Sequence, residues 1–232
     1  MIFAANLKCN HTRSSFAAYA ARLNEAISGE LAFKFENSEN EILVFPPFPA
    51  LAPASEFKFE IGAQNFYPCE NGSFTGEIGA EMLGEFGVKT VLVGHSERRA
   101  LGEGEELLRL KFDFARKKGW RVVYCIGEDL ATRKSGRALD FLARQLANVE
   151  PYENLVVAYE PIWAIGTGIS ADANDVAEAL AFLATKTSAP LLYGGSVKPA
   201  NIAELAQIPQ LSGVLVGTAS WDAENFIKLI KG

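Results

Sequence analysis

Eight short apolar runs alternate with helical patterns along this chain, and the alternation limits the folds open to it. The runs are rich in β-branched and aromatic residues, which is typical of strands. They begin near Ile2, Glu41, Lys58, Thr90, Arg121, Leu155, Pro190 and Gly213. Apolar side chains at helical spacing predict helices between them, at residues 14–28, 103–118, 172–186 and 222–231, with weaker patterns after residues 77, 135 and 199.

The repeat of strand and helix, at a mean spacing of roughly thirty residues, predicts a parallel sheet built from βα units. Near-continuous runs such as residues 91–93 favour strands buried on both faces. Eight units in 232 residues predict an α/β protein with a single domain, a (β/α)8 barrel over residues 1–232. An open doubly wound sheet is the alternative, although the glycine motif that often follows its first strand is absent.

Charge and cysteine content restrict the function and the compartment. The 22 basic and 28 acidic residues give a net charge of −6, which argues against a nucleic-acid binder but leaves room for a small anion site. Cys9, Cys69 and Cys125 are widely spaced and form no cluster with histidine, so we expect no metal site and a reducing, cytoplasmic location. Residues 42–54, the longest uncharged apolar stretch, are too few to span a bilayer and include four prolines. We expect no membrane segment.

Polar side chains gather where the predicted strands end. A (β/α)8 barrel carries its active site at the carboxyl ends of its strands. The residues there are Asn6, Lys8, His95, Glu97, Glu160, Ser196, Gly217 and Thr218. Taken singly, Lys8 is typical of a solvated strand end, His95 of a core histidine and Glu160 of a buried ion pair. Their joint position at strand ends favours an active site.

Two loops have the composition of ligand-binding segments. Residues 166–168 and 194–196 are rich in glycine, and backbone N–H groups in such loops can hold a phosphate. The segment before the first of these carries three large apolar residues and no charge, which suits a lid that closes over a ligand. The alternative is that Trp163 packs on a neighbouring helix. The predicted lid comprises Pro161, Ile162, Trp163, Ala164, Ile165, Gly166, Thr167 and Gly168.

Together these stretches resemble the triosephosphate isomerase family. The matching motifs cover residues 5–10, 94–99, 158–168 and 193–197, with shorter matches at 45–49, 62–65, 125–128 and 215–217, in the family's order along the whole chain. The resemblance implies the TIM barrel fold and interconversion of D-glyceraldehyde 3-phosphate and dihydroxyacetone phosphate through an enediolate, in glycolysis and gluconeogenesis. It implies no cofactor or metal, small triose phosphates as ligands, and a cytoplasmic homodimer without nucleic-acid or membrane partners.

The resemblance also implies roles for individual residues. Glu160 would be the base that moves the proton, and His95 would polarise the carbonyl while neutral. Lys8 would add positive charge, Asn6 would contact substrate, and Glu97 would hold Lys8. The backbone N–H groups of Gly166, Ser196, Gly217 and Thr218 would receive the phosphate, and Tyr193 and Ser196 would anchor the closed lid. Residues 65–79 would form the dimer loop, with contacts from Gln64, Asn65 and Thr75, the last reaching towards the partner's Lys8.

Three positions depart from the family pattern. Leu7 replaces a tryptophan, and alternation along the strand points it away from Asn6 and Lys8, so we expect only a packing change. Ile169 replaces a lysine at the end of the lid, where it would affect lid kinetics. Thr218 replaces a glycine, and a β-branched residue resists positive φ, so phosphate affinity is the property most exposed to change.

Two other functions fit parts of the sequence. A barrel that binds phosphosugars without turnover would need no Glu160. A Schiff-base aldolase would use Lys8, the only lysine at a predicted strand end.

Overall fold

The computed structural model describes residues 1–36, 38–165 and 171–232, and it shows alternating strands and helices. The strands are β1 (Ile2–Asn6), β2 (Glu41–Phe45), β3 (Glu60–Ile61), β4 (Thr90–Val93), β5 (Arg121–Ile126), β6 (Leu155–Tyr159), β7 (Leu191–Tyr193) and β8 (Gly213–Val216). The helices are α1 (Arg13–Ser28), α2 (Ala32–Phe35), α3 (Ala80–Glu85), α4 (Ser96–Ala100), α5 (Glu105–Lys117), α6 (Leu130–Lys134), α7 (Ala138–Leu146), α8 (Ala173–Ala184), α9 (Ile202–Leu205) and α10 (Ala223–Lys231). All eight predicted strands are confirmed, as are the four strongly patterned helices.

The strands close into a barrel. They lie side by side in the order β3, β2, β1, β8, β7, β6, β5, β4, and every ladder is parallel. The ends of this order meet beyond β3 at Ala63, which forms a parallel bridge to Val91. The Ala63 N–H donates to the Thr90 carbonyl at 2.8 Å, and its own carbonyl accepts from Leu92 at 2.9 Å. The (β/α)8 barrel is therefore confirmed, and the open doubly wound sheet is excluded.

Side chains of each strand divide between two apolar layers. Ile2 and Ala4 of β1 point into the barrel with residues such as Phe45 and Leu215. Phe3, Ala5 and Leu7 pack outside, against the helices. Leu7 is fully buried in this outer layer, so the prediction that it points away from Asn6 and Lys8 is confirmed.

Short polar side chains fix where several helices begin. Asp129, Asp172 and Asp222 cap α6, α8 and α10 by accepting a hydrogen bond from a backbone N–H of the first turn. Thr12 caps α1 through a reciprocal pair of hydrogen bonds with Ser15. Each of these caps lies in a loop at the carboxyl end of a strand, so it also shapes the end of the barrel where the candidate residues gather. No helix in the described part of the chain is long and apolar enough to cross a membrane.

Candidate active site

A cavity of about 400 Å³ opens at the carboxyl end of the barrel and collects most of the predicted site residues. It is lined by Asn6, Lys8, His95, Glu160, Ile165, Gly194, Gly195, Ser196, Val197, Lys198, Leu215, Gly217, Thr218, Ala219 and Asn225. Glu97 does not line it but contacts two residues that do. Of the predicted lid, Gly166, Thr167 and Gly168 lie outside the described residues, as does Ile169, whereas the described Ile165 faces the cavity.

Glu160 follows β6 directly and is 2% exposed. A buried carboxylate needs hydrogen-bond donors to offset the loss of water. His95 Nε2 lies 3.2 Å from Glu160 Oε1, and the Ser96 backbone N–H donates to Oε2 at 3.1 Å. Burial raises the pKa of the neighbouring Cys125 thiol, and the Glu160 carboxylate raises it further. The thiol behind the carboxylate therefore stays protonated.

The hydrogen bonds of His95 assign its tautomer. The Glu97 backbone N–H donates to His95 Nδ1 at 3.2 Å, which requires that Nδ1 carry no proton. The proton of the neutral ring then sits on Nε2, which is the nitrogen facing Glu160 and the cavity. The site thus places a neutral N–H donor directly beside a carboxylate.

Lys8 reaches the cavity from a strained loop. Its backbone φ is +50°, a left-handed conformation stabilised by a 3.0 Å hydrogen bond from its N–H to Asn6 Oδ1. Its Nζ lies 2.7 Å from Glu97 Oε1. A Cβ added to Gly217 would approach Lys8 Cε to 3.2 Å, so glycine gives the lysine side chain the room to cross this position. The ion pair holds a positive charge at the cavity wall.

The loops that follow β8 and β7 also line the cavity. The first is the 3₁₀ turn Thr218–Ser220 after β8, where Ser220 Oγ donates to the carbonyls of Val216 at 2.9 Å and Gly217 at 2.8 Å. Among described non-glycine residues, only Lys8 and His11 have positive φ. Thr218 therefore does not adopt the positive φ that a β-branched residue resists, and the backbone strain considered from the sequence is absent at this position.

The second loop follows β7 and is braced by one amide. Asn201 Nδ2 donates to the Ser196 carbonyl at 2.9 Å, and Asn201 Oδ1 accepts from the Lys198 N–H at 2.7 Å. Lys198 lines the cavity and places a second lysine there. Lys198 and Asn225 are cavity residues that the sequence analysis missed. Lys198 could have been predicted, because it closely follows the glycine-rich residues 194–196. Asn225 lies in the first turn of α10, where nothing in the sequence points to the cavity.

The start of the predicted lid is bonded to the barrel through Glu128. This buried carboxylate accepts from Tyr159 Oη and from Trp163 Nε1, each at 3.1 Å. The Ile162 N–H donates to the Glu128 carbonyl at 3.0 Å. The guanidinium of Arg133, on α6, lies 6.0 Å from the centre of the Trp163 ring. Trp163 thus makes the helix contact expected by the alternative interpretation, and the lid function stays a prediction.

The residues predicted at a dimer contact occupy the loop after β3 and its base. Gln64 Nε2 donates to the carbonyls of Lys8 and Phe45, each at 2.9 Å. Asn65 Oδ1 accepts from the buried Lys111 Nζ at 2.6 Å. Thr75 is exposed in the outer part of the loop. Two of the three side chains therefore hold the loop base within the chain. Within the described residues, no group of three His, Cys, Asp or Glu side chains could hold a metal ion.

A family model and the similar proteins reported below carry the same name. The family model described as triosephosphate isomerase matches residues 1–232. Proteins named triosephosphate isomerase are 58% identical in Campylobacter curvus, over 99% of this chain and 97% of the relative, and 55% identical in Campylobacter hominis, over 100% and 99%. The protein of that name from Campylobacter jejuni subsp. jejuni is 54% identical over the full length of both chains.

Proposed function

The chain belongs to the triosephosphate isomerase family, and we propose that Glu160, His95 and Lys8 carry out the proton transfer of its reaction. The reaction interconverts D-glyceraldehyde 3-phosphate and dihydroxyacetone phosphate in glycolysis. Since it runs in either direction, we propose the same role in gluconeogenesis, with residues 1–232 acting as one catalytic domain. The observation that supports these roles is the contact between His95 Nε2 and Glu160 Oε1 inside a cavity that also holds a lysine.

Glu160 acts as the base. Moving a proton between the two carbons of a hydroxy-carbonyl compound needs a group that can accept it and return it. The carboxylate is enclosed by the barrel and held by two donors, the Nε2–H of His95 and the N–H of Ser96. To reach a substrate carbon it must leave His95, which releases the imidazole N–H. When substrate enters, the Nε2–H of His95 therefore exchanges Glu160 Oε1 for an oxygen of the substrate.

His95 and Lys8 stabilise the charge that develops on the substrate oxygens. A neutral imidazole donates its Nε2–H to the carbonyl oxygen as that oxygen becomes an enediolate. Lys8 Nζ, oriented by Glu97, supplies a positive charge at the same wall, and Asn6 lines the cavity beside it. Donors that are fixed before substrate binds need no reorganisation during the reaction. The Glu97 carboxylate fixes Lys8, and the Glu97 N–H fixes the His95 ring, so Glu97 serves catalysis indirectly.

The phosphate binds at the two loops that follow β7 and β8. Ser196, Gly217 and Thr218 line the same cavity, and we include Gly166 by family resemblance alone. Backbone donors in turns of this kind bind phosphate oxygens. Closure of residues 161–168 would then exclude water from the enediolate, with Tyr193 and Ser196 as anchors.

The Schiff-base alternative fits the geometry less well. Lys8 is the strand-end lysine that an aldolase would use, and a Schiff base requires its neutral amine. The Lys8 ammonium instead forms a 2.7 Å ion pair with Glu97. This ion pair suits electrostatic stabilisation of a substrate oxygen.

We test the assignment by the initial rate of D-glyceraldehyde 3-phosphate isomerisation by the purified protein and its Glu160→Gln variant. Removing a general base costs on the order of 10²- to 10⁴-fold in kcat, and we expect a loss in that range. Glu153→Gln is the matched control, because Glu153 is exposed in the turn before the same strand. Wild-type turnover no faster than that of Glu160→Gln would leave a phosphosugar-binding barrel as the better account.

Two coarser proposals complete the assignment. The loop of residues 65–79 supports a homodimer, since residues 70–77, which include Phe74 and Thr75, form its exposed outer part. Three unpaired cysteines, of which Cys9 is exposed, support a reducing compartment, and we place the protein in the cytoplasm.

A further inference from the structure

His11 has an unusual backbone conformation for its residue type. Its φ is +86°, and among the described non-glycine residues only Lys8 shares a positive φ. A residue with a side chain pays conformational energy in this region and stays there only when surrounding contacts fix it. Glycine would adopt the same backbone without strain. The imidazole must therefore make contacts that compensate for the conformation.

The imidazole is fixed on three sides. His11 Nε2 lies 2.9 Å from the Trp221 carbonyl, which can only accept, so Nε2 carries the proton and donates it. His11 Nδ1 lies 3.1 Å from Ser15 Oγ in the first turn of α1. The ring also packs edge to face on Tyr19, with 5.4 Å between ring centres. These contacts leave the ring one orientation.

The hydrogen bond to Trp221 joins two loops of the active site. His11 lies three residues after Lys8 in the loop that follows β1. Trp221 directly follows the 3₁₀ turn Thr218–Ser220, and its N–H donates to the Thr218 carbonyl at 3.2 Å. Gly217 and Thr218, at the start of that turn, line the cavity. His11 therefore connects the loop that carries the lysine with the turn that carries the phosphate-binding N–H groups.

Within the described residues, the other side-chain hydrogen bonds to this turn come from residues that follow β8. Ser220 Oγ bonds the carbonyls of Val216 and Gly217, and Asn225 Nδ2 donates to the Ala219 carbonyl at 2.6 Å. Ser220 and Asn225 follow β8 in sequence, so they move with the turn. The β1–β8 ladder ends at Val216, just before the turn, and His11 adds a side-chain bond from the loop after β1, 210 residues away in sequence.

We propose that His11 is a positioning residue for phosphate binding, which holds the turn after β8 in register with Lys8. The inference rests on the proposed function, because it takes Gly217 and Thr218 as phosphate ligands. His11 does not line the cavity, so it acts through Trp221 and touches no substrate. The strained backbone is the conformation that aims its ring at the neighbouring loop.

Two substitutions separate the effect of the hydrogen bond from His11 to Trp221 from the effect of the backbone conformation at residue 11. His11→Gly keeps the positive φ without strain and removes the imidazole. His11→Gln restores a donor, since glutamine Nε2 stands the same number of bonds from Cβ as histidine Nε2. In His11→Gly we expect KM for D-glyceraldehyde 3-phosphate and Kd for inorganic phosphate to rise about two- to tenfold, the range for one lost hydrogen bond. We expect kcat within about twofold of wild type, and partial recovery of both constants in His11→Gln.

Asn24→Ala is the matched control. It removes two hydrogen bonds between α1 and the segment before β3 without touching His11 or the turn after β8, so it should lower stability and leave Kd for phosphate unchanged. The inference is overturned if His11→Gly is folded and binds inorganic phosphate as wild type does, or if Asn24→Ala weakens phosphate binding equally. Absence of wild-type turnover would contradict the proposed function alone, because phosphate affinity is measured by titration calorimetry without turnover.

Discussion

At the scale of single residues, the position of Glu160 is set by glycines that leave it room. A Cβ on Gly194 would lie 2.8 Å from Glu160 Cγ, and one on Gly127 would lie 1.7 Å from the Glu160 carbonyl oxygen. The first contact concerns the side chain and the second the backbone. Gly194→Ala should therefore displace the carboxylate while the strand keeps its path. Since a displacement near 1 Å can cost about 10²-fold in rate, we expect kcat to fall roughly 10- to 100-fold.

Steady-state kinetics, together with urea unfolding, checks this prediction. The matched control is Gly84→Ala on α3, where an added Cβ meets no atom within 4 Å. That change should leave kcat as in wild type and stabilise the fold by about 0.5–1 kcal/mol, because alanine restricts the unfolded chain more than glycine does. A Gly194→Ala enzyme with wild-type kcat would show that the carboxylate position is less constrained than its neighbours indicate.

The residues of the site differ in how readily sequence reveals them. Asn6, Lys8, His95 and Glu160 could be predicted because each ends an apolar run, and the barrel brings strand ends together. His11 could not, because its conformation and its bond to Trp221 exist only after β1 and β8 become neighbours. The family resemblance supplied roles for the predicted residues, whereas contacts between distant loops came from the fold.

At the scale of elements, the end of β7 depends on the buried phenol of Tyr193. Burial raises the pKa of Tyr193 to about 12, although the nearby backbone of Ser196 and Ala171 lowers it. The folded chain thus keeps a proton that the unfolded chain loses above its ordinary pKa of 10.0. The stability tied to this proton is complete below pH 10 and is lost as pH rises towards 12.

Tyr193→Phe should remove that part of the alkaline loss of stability. We expect the free energy of unfolding to fall less steeply than in wild type above pH 10, by up to about 1.4 kcal/mol per pH unit. Urea titrations at successive pH values between about 9 and 12 measure the two slopes. Parallel curves for the two proteins would contradict the shifted pKa.

Element prediction succeeded where the apolar pattern was long. The helices α1, α5, α8 and α10 follow their predicted ranges to within two residues at each end. Helices α4 and α6 have five residues each and were not predicted, since so short a segment shows too little periodicity. Strand β3 has two residues rather than a run from Lys58, because the Lys58 N–H donates to Asn24 Oδ1 on α1 instead of to a neighbouring strand.

At the scale of the whole molecule, a second and smaller cavity lies beside the candidate active site. A space of about 130 Å³ adjoins the active site and is lined by Asn6, Phe48, Gln64, Asn65, His95, Glu97 and Arg98. Two of these residues were predicted at the dimer contact, and three were predicted at the catalytic centre. Leu101 at 76% and Phe74 at 44% are exposed apolar side chains in the segments that follow β4 and β3, the same segments that contribute Arg98 and Asn65 to this space. These features are the basis for a test of the proposed homodimer.

The proposed homodimer makes a prediction about Thr75, which is exposed in the loop after β3. We expect the wild type to sediment as a dimer of two 25.1 kDa chains, with Thr75 of each entering the space beside the other's active site. Thr75→Arg adds bulk and charge that the small space cannot accommodate. The variant should sediment as a monomer and lose about tenfold or more in kcat, because Lys8 and His95 then border open solvent.

Thr185→Arg serves as the control, since Thr185 is exposed at the end of α8 and takes the same added charge far from this loop. It should remain dimeric and active. Sedimentation velocity reports the assembly, and the isomerisation rate at the same protein concentration reports the site. A wild type that sediments as a monomer with full activity would remove the dimer from the account and show that one barrel completes the active site alone. A monomeric Thr75→Arg with low activity would instead show that the barrel positions the catalytic groups while the second copy protects them from water.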